Sequence, residues 1–183
     1  MTTPARAGWG RPTVALLLGG LLGFIGGYFA AGGGRPAARA GQAPGEGGRI
    51  GELLAAIERD PESPKLWKAL GNARYDREEW DLAIEAYEKA RREAPTDADL
   101  LSDLGAAYRN GGELRRAVHF FEAARQANPD HWQSLLNLTL VHAFDTADPA
   151  AADRHFQELK RRFPEIPRLD RIAERISSLR AGV

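Results

Sequence analysis

The side chains best suited to metal binding or proton transfer are histidines 119, 131, 142 and 155. None has a second ligand at metal spacing, and His155, beside Phe156 and near Asp153, reads as part of an exposed face. Asp76, Glu78, Glu79 and Asp81 could supply paired carboxylates for acid–base work. They fall where a turn between two helices is expected, and acids there favour the N-terminus of the helix that follows. Ser102, Ser134, Ser177 and Ser178 have no base placed beside them by any motif. The chain contains no cysteine, which rules out a disulfide, a thiolate metal site and a thiol nucleophile. Its glycines belong to an apolar segment, a linker or helix-packing positions, and none forms a phosphate-cradling loop. The sequence therefore predicts no catalytic residue, no metal and no cofactor: a binding protein, not an enzyme.

Charge narrows the ligand. Lys+Arg and Asp+Glu both total 25 in 183 residues, so the formal net charge is zero. A nucleic-acid binder normally shows a basic excess, and none is expected here. Residues 1–48 carry Arg6, Arg11, Arg35 and Arg39 against Glu46, and the remainder is slightly acidic.

A membrane segment comes first. Behind a tail at residues 1–12, residues 13–31 read "TVALLLGGLLGFIGGYFAA", without a charge. As a helix this stretch would be about 28 Å long, close to a hydrocarbon core of roughly 30 Å. Arg11 and Arg35 flank it, and Trp9 and Tyr28 lie near its ends, where amphipathic rings favour the headgroups. The expectation is a single-pass anchor. A cleaved secretory signal is the rival, with Ala38-Arg39-Ala40 as the cleavage pattern. Gly19, Gly23 and Gly27 recur every fourth residue, a face on which two such helices could pair in the bilayer. The short leading tail favours an amino terminus inside and the domain outside the cytoplasm, in a periplasm. Residues 32–48, "GGGRPAARAGQAPGEGG", read as a flexible linker.

The rest of the chain repeats itself. "LGNARYD" at 70–76 returns as "LGAAYRN" at 104–110. The same offset pairs Ala83 with Ala117, Tyr87 with Phe121, Ala90 with Ala124 and Pro95 with Pro129. A third unit keeps Leu138, Ala152, Phe156 and Pro164, with one extra residue around Asp145–Asp148. Each unit reads as two amphipathic helices, with Gly71 against Ala83 and Gly105 against Ala117 permitting close approach. Prolines close the second helices. Ser63 before Pro64, Asp130 ahead of Gln133 and Asp148 before Pro149 read as N-caps, and Gly111-Gly112 as a helix end.

"WKALGNARYDREEWDLAIEAYEKARREAP" and "LLSDLGAAYRNGGELRRAVHFFEAARQANP" resemble the tetratricopeptide repeat family over roughly residues 50–164. The resemblance implies an all-α, right-handed solenoid of about three helix pairs: 64–97, 98–131 and a diverged 132–164. In the third unit Thr139 replaces the packing glycine and Leu159 the small residue; Arg74 and His142 stand where an aromatic is preferred. Such arrays need closed ends. Residues 49–61, with the stripe Ile50, Leu53, Leu54 and Ile57, supply one cap. Residues 167–183, with Leu169, Ile172, Ile176 and Leu179, supply the other.

The family binds protein segments in a concave groove lined by each unit's first helix. The resemblance places Lys65, Lys68, Asn72 and Tyr75 there from the first unit. The second gives Asp99, Ser102, Arg109 and Asn110, and the third Gln133, Leu136, Asn137 and Leu140. Some members clamp a peptide's terminal carboxylate with Lys, Asn and Arg from successive units. Lys68 and Asn72 fit, but Asp103 stands where an amide is wanted, and Gln133 and Asn137 replace a basic pair. The layout of anchor, linker and repeats is similar to bacterial cytochrome c maturation factors, which implies holding apocytochrome near haem ligation machinery. The alternative is an assembly or localisation subunit of a membrane enzyme, secretion or pilus complex.

Overall fold

The computed structural model describes residues 46–167 and 169–182. The tail, the expected membrane helix at 13–31 with its glycine face, and all but the end of the linker lie outside the described residues. Among the described residues every regular element is helical, and no helix is long and apolar enough to cross a membrane.

Among the described residues eight α-helices follow one another. Helix α1 is Glu46–Arg59, so helix begins inside the stretch expected as linker. Helices α2 (Pro64–Tyr75) and α3 (Trp80–Glu93) form the first pair, α4 (Ala98–Asn110) and α5 (Leu114–Ala127) the second. The third pair is α6 (Trp132–Leu140), continued by a π-helical turn at Val141–Asp145, and α7 (Pro149–Arg162). Helix α8, Asp170–Ala181, closes the far end.

The small residues work differently from the sequence expectation. A Cβ built on Gly71 would stand 2.4 Å from Cδ1 of Tyr87, and one on Gly105 would stand 2.7 Å from Cδ1 of Phe121. The glycines thus receive an aromatic ring from the second helix rather than chiefly clearing Ala83 and Ala117, although Ala117 O also lies 3.2 Å from a Gly105 Cβ. Both rings are buried, and each contributes roughly 1.5–3 kcal/mol by burial. Thr139 takes the third-unit position, fully buried, its hydroxyl donating to Leu135 O at 2.8 Å. The third pair is packed less extensively than the first two.

The turns inside the pairs share one geometry. Glu78 (φ 60°), Gly112 (φ 84°) and Ala147 (φ 51°) occupy the same place in each unit, in the left-handed region. Each is followed by an N–H that returns to the end of the first helix: Glu79 to Arg74 O, Glu113 to Tyr108 O, Asp148 to His142 O. The third loop spans one residue more. The inserted residue is taken up in the π turn, so the closing bond survives.

Caps follow sequence only in part. Asp148 accepts from Ala150 N and Ala151 N, which holds its carboxyl below the usual range, the Ala151 bond being the main cause. Ser63 makes no side-chain cap bond. Helix α6 is capped by the His131 ring, which accepts from Ser134 N, and not by Asp130, which pairs instead with Arg162 at 2.7 Å. Asp97, unforeseen, caps α4 through Leu100 N at 3.0 Å.

Both ends are covered. Ile50 and Ile57 of α1 are buried with Leu70, Ala73 and Ala86, while Leu54 is 42% exposed. Ile172 and Ile176 of α8 share a core with Leu135, Leu136, Leu140, Phe156 and Leu159. The Arg175 Nε donates to Ala143 O at 3.1 Å, which satisfies a carbonyl that the π turn frees.

Candidate functional site

Three first helices, α2, α4 and α6, stand side by side and are stitched together by polar side chains. The Asn110 amide donates to the Tyr75 hydroxyl at 2.7 Å, joining α4 to α2. Lys68 of α2 approaches Asp97 at 3.5 Å and Asp103 of α4 at 3.8 Å. On the other side Asp99 meets His131 Nε2 at 2.9 Å, Asn137 donates to Ser102 at 3.4 Å, and Arg109 binds Asp145. Within the first unit the Tyr87 hydroxyl donates to Asn72 Oδ1 at 2.8 Å. Burial raises the pKa of Tyr75, with the Asn110 bond and Arg109 opposing and the Asp103 and Asp76 charges adding to the rise.

These contacts re-sort the candidate residues. Lys65 and Asp99 are exposed, and Lys68, Asn72, Tyr75, Arg109, Asn110, Gln133 and Asn137 are half-buried along one wall. Ser102 is buried and is reached from Asn137. Leu136 and Leu140 are corrections: each is only 8% exposed, in the core closed by Ile172 and Ile176 of α8. The end unit must bury an apolar face on something, and the cap helix covers these leucines. The third-unit part of the wall is therefore Gln133 and Asn137. Sequence reading missed His131 as a linker of repeats, since a lone histidine 32 residues from Asp99 carries no local signal.

Two of the four histidines, His142 and His155, come together with ring centres 5.5 Å apart, and His155 is half-buried and not on an exposed face. Among the described residues no three His, Asp or Glu side chains gather to hold a metal. Glu79 is spent on Arg74 and Arg77, chiefly the Arg74 bond, which lowers its pKa. A carboxylate held by two guanidiniums is a poor general base.

The fold and its repeat period agree with the known proteins that the chain resembles. Residues 74–138 match the family model described as tetratricopeptide repeat. That match covers about a third of the 183 residues and spans the later part of the first unit, the second unit and the start of the third. The chain is 35% identical over 98 residues to "Heat-shock protein cognate (HSC) co-chaperone sgt12" of Aspergillus fumigatus, which is 54% of this chain and 28% of that protein. It is 37% identical over 77 residues to tetratricopeptide repeat protein 21A of Mus musculus, 42% of this chain and 6% of the relative. It thus spans less than a third of either relative's length. A crystal structure of MamA has the same fold, with a TM-score of 0.59 at 22% identity over 62% of this chain and 66% of that one.

Proposed function

We propose that the chain is a membrane-anchored scaffold that docks an extended segment of a protein partner on the wall of α2, α4 and α6. One observation carries this: successive first helices are already tied by the Tyr75–Asn110, Asp99–His131, Ser102–Asn137 and Arg109–Asp145 contacts. A wall fixed before the partner arrives leaves less ordering to be done on binding, so modest contacts suffice. The co-chaperone name of the fungal relative fits a general adaptor role. Residues 13–31 would anchor the wall and residues 32–45 would hold it just clear of the bilayer, outside the cytoplasm, with Gly19, Gly23 and Gly27 available for helix pairing. Catalysis has no part in this reading.

Photo-crosslinking residues placed at Lys65, Ala106 and Gln133, with Arg92 and Glu122 on second helices as controls, test it in membranes. One partner captured from the first-helix positions alone is the expected result. Capture from Arg92 or Glu122 alone would move the contact to the opposite face and end the proposal. The layout makes apocytochrome and haem-ligation proteins the first candidates to look for among the captured species. Recovery of an enzyme, secretion or pilus subunit instead would select the assembly role. A reporter fused after Val183 reads the side of the membrane.

A further inference from the structure

Two cations of the first-helix wall, Lys68 and Arg109, are committed to the protein's own acids, while Lys65 is exposed. Lys68 faces both Asp97 and Asp103, and Arg109, with only 11% of its side chain exposed, is held by Asp145. The acids are less fully used. Asp99 is 69% exposed, with one oxygen on His131 Nε2 at 2.9 Å. Asp103 is 40% exposed and has Lys68 at the long distance of 3.8 Å. Its carboxyl is pushed up to about 7, by burial first, then by the Asp99 and Asp97 charges, against the pull of Lys68. Lys68 is thus the counter-ion beside it, and two further acids lie near it. Asp99 and Asp103 are four residues apart on α4, so they lie on one face one turn apart. Neutral residues flank them: Asn72 on α2, Ala106 on α4, Gln133 and Asn137 on α6.

Building on the docking reading above, we propose that the wall's occupant is an extended peptide segment carrying lysine or arginine, with a basic side chain seated at Asp99 and Asp103. A basic side chain supplies the counter-charge that Lys68, shared with Asp97, does not complete. A peptide's terminal carboxylate meets the opposite situation: the lysine that could receive it is occupied, and Asp103 stands against it. The flanking amides of Asn72, Gln133 and Asn137 suit main-chain groups of either polarity, so the charge preference comes from α4. Lys65, at the start of α2, is exposed.

Fluorescence anisotropy with the full chain in nonionic detergent tests the assignment. The probes are two labelled twelve-residue peptides, one of Ala-Lys-Ser repeats and one of Ala-Glu-Ser repeats. The basic probe should bind about tenfold more tightly than the acidic one, in line with a charge-assisted pair. Asp99→Asn with Asp103→Asn should remove most of that difference, and Ala106→Trp, which fills the wall between the helices, should abolish binding. Circular dichroism confirms that each variant is folded. Equal or reversed preference that is still lost in Ala106→Trp overturns the basic occupant and leaves the docking wall standing. Basic-probe binding that survives both Ala106→Trp and the double Asn variant removes the wall as well. Failure of both probes to bind overturns the basic occupant.

Discussion

His142 and His155 stack with ring centres 5.5 Å apart, in the place that Tyr108 and Phe120 fill one repeat earlier at 5.3 Å. A permanent aromatic contact has become a titratable one. Burial is the main reason that the His155 pKa is lowered to about 4, with the His142, Arg125 and Arg154 charges adding to it and Glu158 opposing. Its Nδ1 is buried without a partner, as is the Arg125 Nε nearby.

The sign of the pH effect follows from that depression. The unfolded chain takes up the His155 proton near pH 6.5, the folded chain only near 4. The stability that the neutral ring contributes is whole above 6.5 and is lost as pH falls towards 4. Thermal melts should show Tm dropping by roughly 3–5 °C across this window through this group. His155→Phe should flatten the drop. Parallel melting curves for the two proteins would remove the histidine pair as its cause. The carboxyls of Glu79 and Asp148 are held below their usual range, lose their contributions at lower pH, and do so alike in both proteins.

The ring-on-glycine contacts give a sharper test. Gly71→Ala and Gly105→Ala place a methyl group within 2.4 Å and 2.7 Å of a buried ring carbon, so the helices must part. Each should cost about 1–3 kcal/mol in urea denaturation. Gly51→Ala meets nothing within 4 Å and lies inside α1, so it should stabilise by about 0.5–1 kcal/mol. A loss at Gly51 equal to that at Gly71 would mean that helix spacing is not what the glycines protect.

The left-handed turn residue allows a gain as well as a loss. Glu78 holds φ 60° where the second unit has Gly112 at φ 84°. Glu78→Gly should therefore raise stability by about 1 kcal/mol, and Gly112→Ala, in open space, should lower it by about as much. Equilibrium unfolding of both variants checks the pair. Destabilisation by Glu78→Gly would show that the side chain matters more than the backbone.

Asp103 predicts a trend opposite to that of His155. The unfolded carboxyl ionises near 3.8 and the folded one only near 7, so stability is lost as pH rises from about 4 to about 7 and the loss is complete above that. Asp103→Asn should raise Tm more at pH 8 than at pH 6, by roughly one or two degrees. An equal shift at both values would mean that the benefit does not come from removing the charge.

Periodicity was enough to read off the repeats, the helix pairs and the two apolar caps, because helical spacing and closing prolines are local signals. The resemblance to the tetratricopeptide repeat family followed from them. Which polar residues face a partner was not local. Lys68, Arg109, Ser102 and Asn110 look like binding groups in one dimension, yet each is engaged by a residue 29 to 36 positions away. Only stacking of the repeats brings those partners within reach. Leu136 and Leu140 show the same limit: their helical spacing suits a groove or a core equally, and the docking of α8 made them core. The extra residue near Asp145 was visible as an insertion, but its absorption as a π turn depended on the closing bond from Asp148 to His142 O. Sequence set the elements, since propensity and period act within a turn or two. The tertiary structure decided the surface, since pairing depends on distances that the chain does not encode in order.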